Sequence, residues 1–497
     1  MSYPTEASER RSHVTGKLVP GLDLRPFIGG AFVEPKSAAT LTVTDPMTER
    51  TLATLPAACE ADVHDAVTAA RAAFDEGPWP RMTPDDRSAV LHRLADLIER
   101  DLPDLALLEA TDAGKRFAGV RGWDIPHAAT MYRYYADWAG RVCGQTLPSA
   151  GAIRISTQRE PIGVCAAVIP WNFPFACMSW KIAPALAAGC TVVVKAAERA
   201  PLSAHALAAL FEEAGFPPGV VNVVTGTGEV AGHALTSDPR IDRITFTGST
   251  ETARAITRDS SWRMPRLTTE LGGKGANVVF ADADLEAAIS NAADAVFDLS
   301  GQNCCAAART YVQRDAYDEF VARLVTLARE RRLGDPLDDS SQQGPLIDRD
   351  HLRSVHAKVT AAVEAGATCL TGGSPAELGG LFYAPTLLSE APANAPISQE
   401  EVFGPVGCVY LFDSVDEAVA LANDSDYGLS ASVWTRDTAT AETFADRVRV
   451  GTCWVNCFGY FLPHVPWGGT KLSGNGKDLG LEGIEEFLTT KVIYRAP

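Results

Sequence analysis

Three separated segments carry side chains able to do chemistry. Gly301-Gln302-Asn303-Cys304-Cys305 presents a thiol just after a glycine-containing stretch. As a thiolate such a group attacks electrophilic carbon, whereas in apolar surroundings it is an inert packing residue, and the pentapeptide alone leaves both readings open. Glu270-Leu271-Gly272-Gly273-Lys274 lies 34 residues upstream of Cys304 and sets a carboxylate against a flexible glycine pair. In isolation Glu270 reads as a helix-end or surface acid bridged to Lys274. Ile169-Pro170-Trp171-Asn172-Phe173-Pro174 follows an apolar run and holds an amide in a rigid loop between prolines and aromatics. An asparagine there can cap the next helix or donate into a site.

The elements that must position these groups follow from apolar periodicity. Ala61 to Phe74 puts Val63, Val67, Ala70 and Phe74 on one helical face, and a second helix ending near Arg100 opens on Thr83 and Pro84. From residue 160 short apolar runs alternate with helices: Gly163 to Ile169, Lys181 to Ala188, Thr191 to Lys195, Ser203 to Ala214, Val220 to Thr225 and Arg243 to Phe246. That rhythm predicts a parallel sheet with covering helices. A second such series runs from Leu285 onward, with helices over Ala316 to Arg331 and His351 to Ala365 and strands at Cys408 to Phe412, Ser430 to Thr435 and Thr452 to Asn456. The fold class is therefore α/β with two lobes, their boundary near Leu271 to Lys274.

Bulk properties agree with two lobes, since 497 residues exceed the size at which one core stops growing, roughly 250 to 300 residues. A net charge of −18, from 62 acidic and 44 basic residues, argues against nucleic acid or an anionic membrane as partner. Arg10, Arg11 and Lys17 are followed by no apolar stretch, and Ile182 to Val194 is short and interrupted by Pro184, so neither a secretory signal nor a membrane span is expected and the predicted location is cytoplasmic. Eleven irregularly spaced cysteines fit neither a disulfide framework nor a zinc site, so no metal is predicted, and Cys165, Cys177 and Cys190 read as core residues. The polar first 20 residues read as a disordered extension.

Together with Lys195-Ala196-Ala197-Glu198, Phe246-Thr247-Gly248-Ser249-Thr250 and Glu401-Val402-Phe403-Gly404-Pro405, the three segments resemble the aldehyde dehydrogenase superfamily, in the expected order and from about Pro26 to Val492. The resemblance implies two Rossmann-like α/β lobes and a small β oligomerisation element. Residues 21–138 and 160–271 would form the dinucleotide-binding domain, 272–450 the catalytic domain, 139–159 and 485–497 the oligomerisation element, and 451–484 a segment closing the substrate tunnel. It makes Cys304 the nucleophile, Asn172 with the Cys304 backbone N–H the oxyanion donors, and Glu270 the base that activates water against a thioester. Cys305 becomes a neighbour rather than a second nucleophile.

On the cofactor side the resemblance points to Ile169, Trp171, Lys195, Glu198, Gly248, Ser249, Leu271, Glu401 and Phe403. Gly248 permits close backbone approach and Ser249 opens a helix toward a pyrophosphate. Glu198 favours NAD over NADP, because a carboxylate accepts from ribose hydroxyls but repels a 2′-phosphate; Lys195 weakens that preference and leaves NADP open. Gly226-Thr227-Gly228 lacks the full dinucleotide fingerprint and reads as a loop turn, with Gly228 a candidate cofactor contact. The chain departs from the family pattern at Ala196, Ala253, Trp467 and Lys477-Asp478.

A substrate tunnel would be walled by Phe173, Trp180, Phe297, Phe461 and Asp298. Its aromatic walls suit a small-molecule apolar or aromatic aldehyde, while Asp298, if it faces the tunnel, suits a cationic aminoaldehyde. Two further readings stand beside these: a dehydrogenase passing the acyl group to coenzyme A, against which Glu270 argues, and a non-enzymatic protein that kept the fold, against which the retention of Cys304, Glu270 and Asn172 argues. The expected assembly is a homodimer or homotetramer.

Overall fold

The computed structural model describes residues 6–497. One sheet is built on five parallel strands in the spatial order Val221–Thr225, Thr191–Ala196, Val164–Val168, Arg243–Thr247, Arg266–Glu270. The three strands over Val221–Thr225, Thr191–Ala196 and Val164–Val168 are buried along their whole length. Helices cover both faces of a parallel sheet, which is why these strands read as unbroken apolar runs rather than as alternation. The chain moves outward from Val164–Val168 through the next two strands, then returns to the opposite flank with Arg243–Thr247, which pairs directly with Val164–Val168. Strand order therefore reverses between those two neighbours, and a crevice opens beyond their carboxyl ends. Loops 169–173 and 248–249 emerge there.

A second sheet runs Thr368–Thr371, Thr386–Ser389, Val406–Phe412, Arg309–Gln313, Ala276–Val279, Ser430–Trp434, Thr452–Val455, every pair parallel except the first. Glu270 ends its strand in the first sheet and Ala276 begins one in the second, so residues 271–275 form the crossover. Thr452–Val455 is an edge strand of this sheet, and Gly474–Asn475 returns to pair antiparallel with Arg266–Glu270. A third, three-stranded antiparallel sheet joins Thr146–Ala150, Ile153–Pro161 and Leu488–Arg495 and stands largely exposed.

The amino-terminal segment corrects one expectation. Residues 7–21, read as disordered from their polarity, are helical, starting with Ala7–His13. Val14 and Val19 are buried, Arg10 donates to the Leu337 carbonyl at 2.6 Å and pairs with Asp339, and Arg11 pairs with Asp45 and Asp335. Composition misread the segment because its charges are matched by distant acids, leaving two valines free to dock. The first five residues of that expectation lie outside the described ones. Among the described residues no helix is long and apolar enough to cross a membrane, and no group of three or more His, Cys, Asp or Glu is placed to hold a metal ion.

Candidate active site

A cavity of about 1000 Å³ occupies the crevice, and Asn172, Glu270 and Cys304 all line it. Asn172 sits in the loop after the Val164–Val168 strand, and its Nδ2 donates to the Gln302 carbonyl oxygen at 3.0 Å, tying that loop to the cysteine segment. Glu270 is the last residue of its strand and is 4% exposed, yet neither carboxyl oxygen has a hydrogen-bond partner. The helix Leu285–Phe297 ends just before the thiol loop, where Leu299, Ser300 and Gly301 adopt φ of 53, 57 and 70°. Such backbone costs about 1–3 kcal/mol per non-glycine residue and persists only when it is held. Here Ser300 Oγ donates to the Gly344 carbonyl at 2.7 Å, Gln302 Oε1 accepts from the Ile347 N–H at 2.9 Å, and a Cβ on Gly301 would lie 2.0 Å from the Gly404 oxygen.

The glycine pair after Glu270 has a steric reason as well as a flexible one. A Cβ on Gly273 would stand 2.3 Å from the Cys304 carbonyl oxygen, so Gly273→Ala must push the thiol loop aside. A displacement near 1 Å lowers kcat/KM on the order of 100-fold, while overpacking lowers stability by about 1–3 kcal/mol. Steady-state kinetics beside thermal unfolding check this, and a fall in stability with unchanged kcat/KM would show that the loop tolerates the shift.

Burial pushes the Glu270 carboxyl well above the usual carboxylate range, and the Asp478 charge adds to this against Lys181 and Lys477. The Cys304 thiol is also held well above its ordinary value by burial, with Cys305 and Glu401 adding. Lys274 is buried, brought down to about 8 by desolvation, and makes no ion pair with Glu270.

All ten candidate cofactor residues face the same cavity. Lys195 Nζ lies 2.5 Å from Glu198 Oε2. Burial pushes the Glu198 carboxyl up, but the ammonium beside it prevails and holds it below its ordinary value. Ser249 caps Thr250–Ser260, its Oγ accepting from the Thr252 N–H at 3.1 Å, and Gly228 opens a helical turn. Glu401 Oε1 accepts from the Gly273 N–H at 3.0 Å, burial raises its carboxyl to about 7, and a Cβ on Gly272 would strike its other oxygen. Phe403 packs edge-on to Trp171 at 5.3 Å, and Ile169 and Leu271 are buried beside them.

Of the five tunnel candidates, Phe173, Trp180 and Phe461 line the cavity with Cys304. Phe297 does not: it is fully buried in the core of the second lobe, because the helix carries it inward before the left-handed turn. Asp298 lines a smaller adjoining cavity of about 350 Å³ that shares the walls Trp123, Phe173, Asn303 and Phe461. Sequence reasoning missed Trp123 and Cys177 as wall residues, and it treated Trp467 only as a departure from pattern, although it too lines the cavity. It also missed the buried Lys181–Asp478 pair, 3.0 Å apart, beside Glu270. Tryptophan in a motif was the one signal available; Trp123 lies in no motif.

The profile of the aldehyde dehydrogenase family matches residues 32–493. Retinaldehyde dehydrogenase 3 of Rattus norvegicus is 42% identical over 469 residues, 94% of this chain and 92% of that one. The NAD+ complex of an aldehyde dehydrogenase from Bacillus cereus superposes with a TM-score of 0.95 at 38% identity, covering all of both chains. Betaine aldehyde dehydrogenase of Staphylococcus aureus in complex with NAD+ gives 0.95 at 34% identity over 97% of each chain. With this sheet order and this cavity, the chain belongs to the aldehyde dehydrogenase family, and it is an oxidoreductase of that class.

Proposed function

We propose that the protein oxidises an apolar or aromatic aldehyde to its carboxylic acid with NAD as hydride acceptor. The observation that carries this reading is the convergence of thiol, amide and unpartnered carboxyl on one cavity. The cavity's other wall fits a dinucleotide: a paired carboxylate for ribose hydroxyls at Glu198, a capped helix N-terminus at Ser249, and a second buried carboxyl at Glu401. The two similar structures described above hold NAD+. Bound there, the dinucleotide supplies the acceptor for the hydride that leaves the aldehyde carbon.

The chain's own residues do the rest. Cys304 Sγ forms a bond to the aldehyde carbon, the carbonyl electron pair moves onto oxygen, and the thiol proton passes to water in the cavity. The charge that develops on oxygen is met by the Asn172 amide, already oriented by its bond to Gln302, and by the Cys304 N–H. Once the carbon is at the oxidation level of an acid it is held as a thioester on Cys304. Glu270 takes a proton from water, the resulting hydroxide adds to the thioester carbon, the carbon–sulfur bond breaks to release the acid, and the proton returns from Glu270 to the sulfur. A carboxyl with neither oxygen committed is available for that water.

Mixing the protein with NAD and benzaldehyde, without coenzyme A, is expected to give a steady rise in the near-ultraviolet absorbance of reduced nicotinamide and one carboxylic acid per hydride. Product only on adding coenzyme A would move the chain to the acyl-transferring relatives. Leu488–Arg495 pairs along its whole length with Ile153–Pro161 in the exposed sheet, and this supports subunit pairing through that sheet.

A further inference from the structure

The smaller cavity of about 350 Å³ adjoins the one lined by Cys304, sharing Trp123, Phe173, Asn303 and Phe461 with it. Its carboxylates are not free to select a cation. Asp298, with a side chain 52% exposed, accepts from Arg116 Nη2 at 2.7 Å and lies 4.0 Å from Arg331. Arg331 is itself shared with Asp294 at 3.3 Å. Arg116, Asp294 and Asp298 line this cavity and Arg331 stands behind the two carboxylates, so two guanidinium groups face two carboxylates. Deeper in, Lys115 pairs with Glu109 and Asp124, and its ammonium sits 4.0 Å from the centre of the Phe173 ring. One electron-rich face of that ring is thus already engaged by a cation and is not offered to a second.

We propose that Arg116 is a specificity-determining residue: by pairing with Asp298 it cancels the charge at the tunnel mouth and so selects neutral aldehydes over cationic ones. The inference rests on the aldehyde-oxidation reading above and names its substrate class. Removing the guanidinium makes the mouth more negative by one charge. In a partly wetted cavity one such charge acting over several ångströms changes the affinity of a monovalent cation by roughly tenfold.

The test compares wild type, Arg116→Gln and the double variant Arg116→Gln/Asp298→Asn on benzaldehyde and on 3-aminopropanal, whose amine is protonated near neutral pH. The ratio of kcat/KM for the cationic over the neutral aldehyde is expected to rise about tenfold in Arg116→Gln, through KM, and to return toward wild type in the double variant. Calorimetric titration with 3-amino-1-propanol, an unreactive cation of similar size, is expected to rank the three proteins in the same way. An unchanged ratio in Arg116→Gln, or a gain that survives the second substitution, overturns the proposal. The calorimetric arm needs no turnover: failure of every protein to oxidise either aldehyde refutes the oxidation reading, while the ranking of affinities still decides the role of Arg116.

Discussion

Replacing Cys304 by serine is expected to abolish aldehyde oxidation, lowering kcat by at least about a thousandfold, roughly 4 kcal/mol of transition-state stabilisation. Burial opposes ionisation of the Cys304 thiol. A hydroxyl at the same position ionises far less readily and no neighbouring group compensates. The cofactor residues lie on other elements, at Lys195, Ser249 and Glu401, so NAD affinity is expected to stay within about twofold of wild type on the usual independence of separated sites. Equilibrium titration with NAD alongside turnover measures both. Retained oxidation would mean that another group is the nucleophile.

The second large effect concerns Glu270→Gln, which should divide the reaction in two. Thioester formation consumes no water, so one equivalent of reduced cofactor per site appears in a rapid burst. Hydrolysis then stalls, and steady-state turnover falls by roughly 100- to 10,000-fold. Rapid mixing distinguishes this from a general loss of activity, which would remove the burst as well. The pH dependence follows from the same group. Because burial lifts the carboxyl well above its ordinary value, the ionised base is scarce at low pH and hydrolysis should accelerate as pH rises, with the variant flat over the same range. Stability runs the other way. A raised folded-state pKa favours the protonated carboxyl, so its contribution is present below the unfolded carboxylate range and is lost as pH climbs through the folded value. Thermal unfolding of wild type should therefore fall relative to the glutamine variant toward high pH.

The cavity explains why some site residues were legible and others were not. Glu270 and Asn172 sit at or just past the ends of strands and Cys304 in the loop after a helix, and their neighbours are glycines and prolines whose demands on backbone are local and leave a mark in sequence. The fully buried parallel strands were legible for a related reason, since a strand covered on both faces has no polar alternation to disguise it. Phe297 was misplaced because it packs inward at the end of its helix, while its neighbour Asp298, next to the left-handed turn Leu299 to Gly301, lines the adjoining cavity. Nothing in the helical periodicity of Leu285–Phe297 announces the reversal.

Sequence alone determined the α/β class, the order of most elements, and three groups whose types would suit acyl chemistry at a carbonyl carbon and which line one cavity. Only tertiary structure decided that Trp123 and Trp467 wall the cavity, that Lys181 and Asp478 stand beside Glu270, and that Arg116 reaches Asp298. The first set rests on interactions between residues close in the chain: repeat periods, caps and obligatory glycines. The second rests on contacts across hundreds of residues, where packing of one lobe against another chooses the partner and no local pattern encodes it.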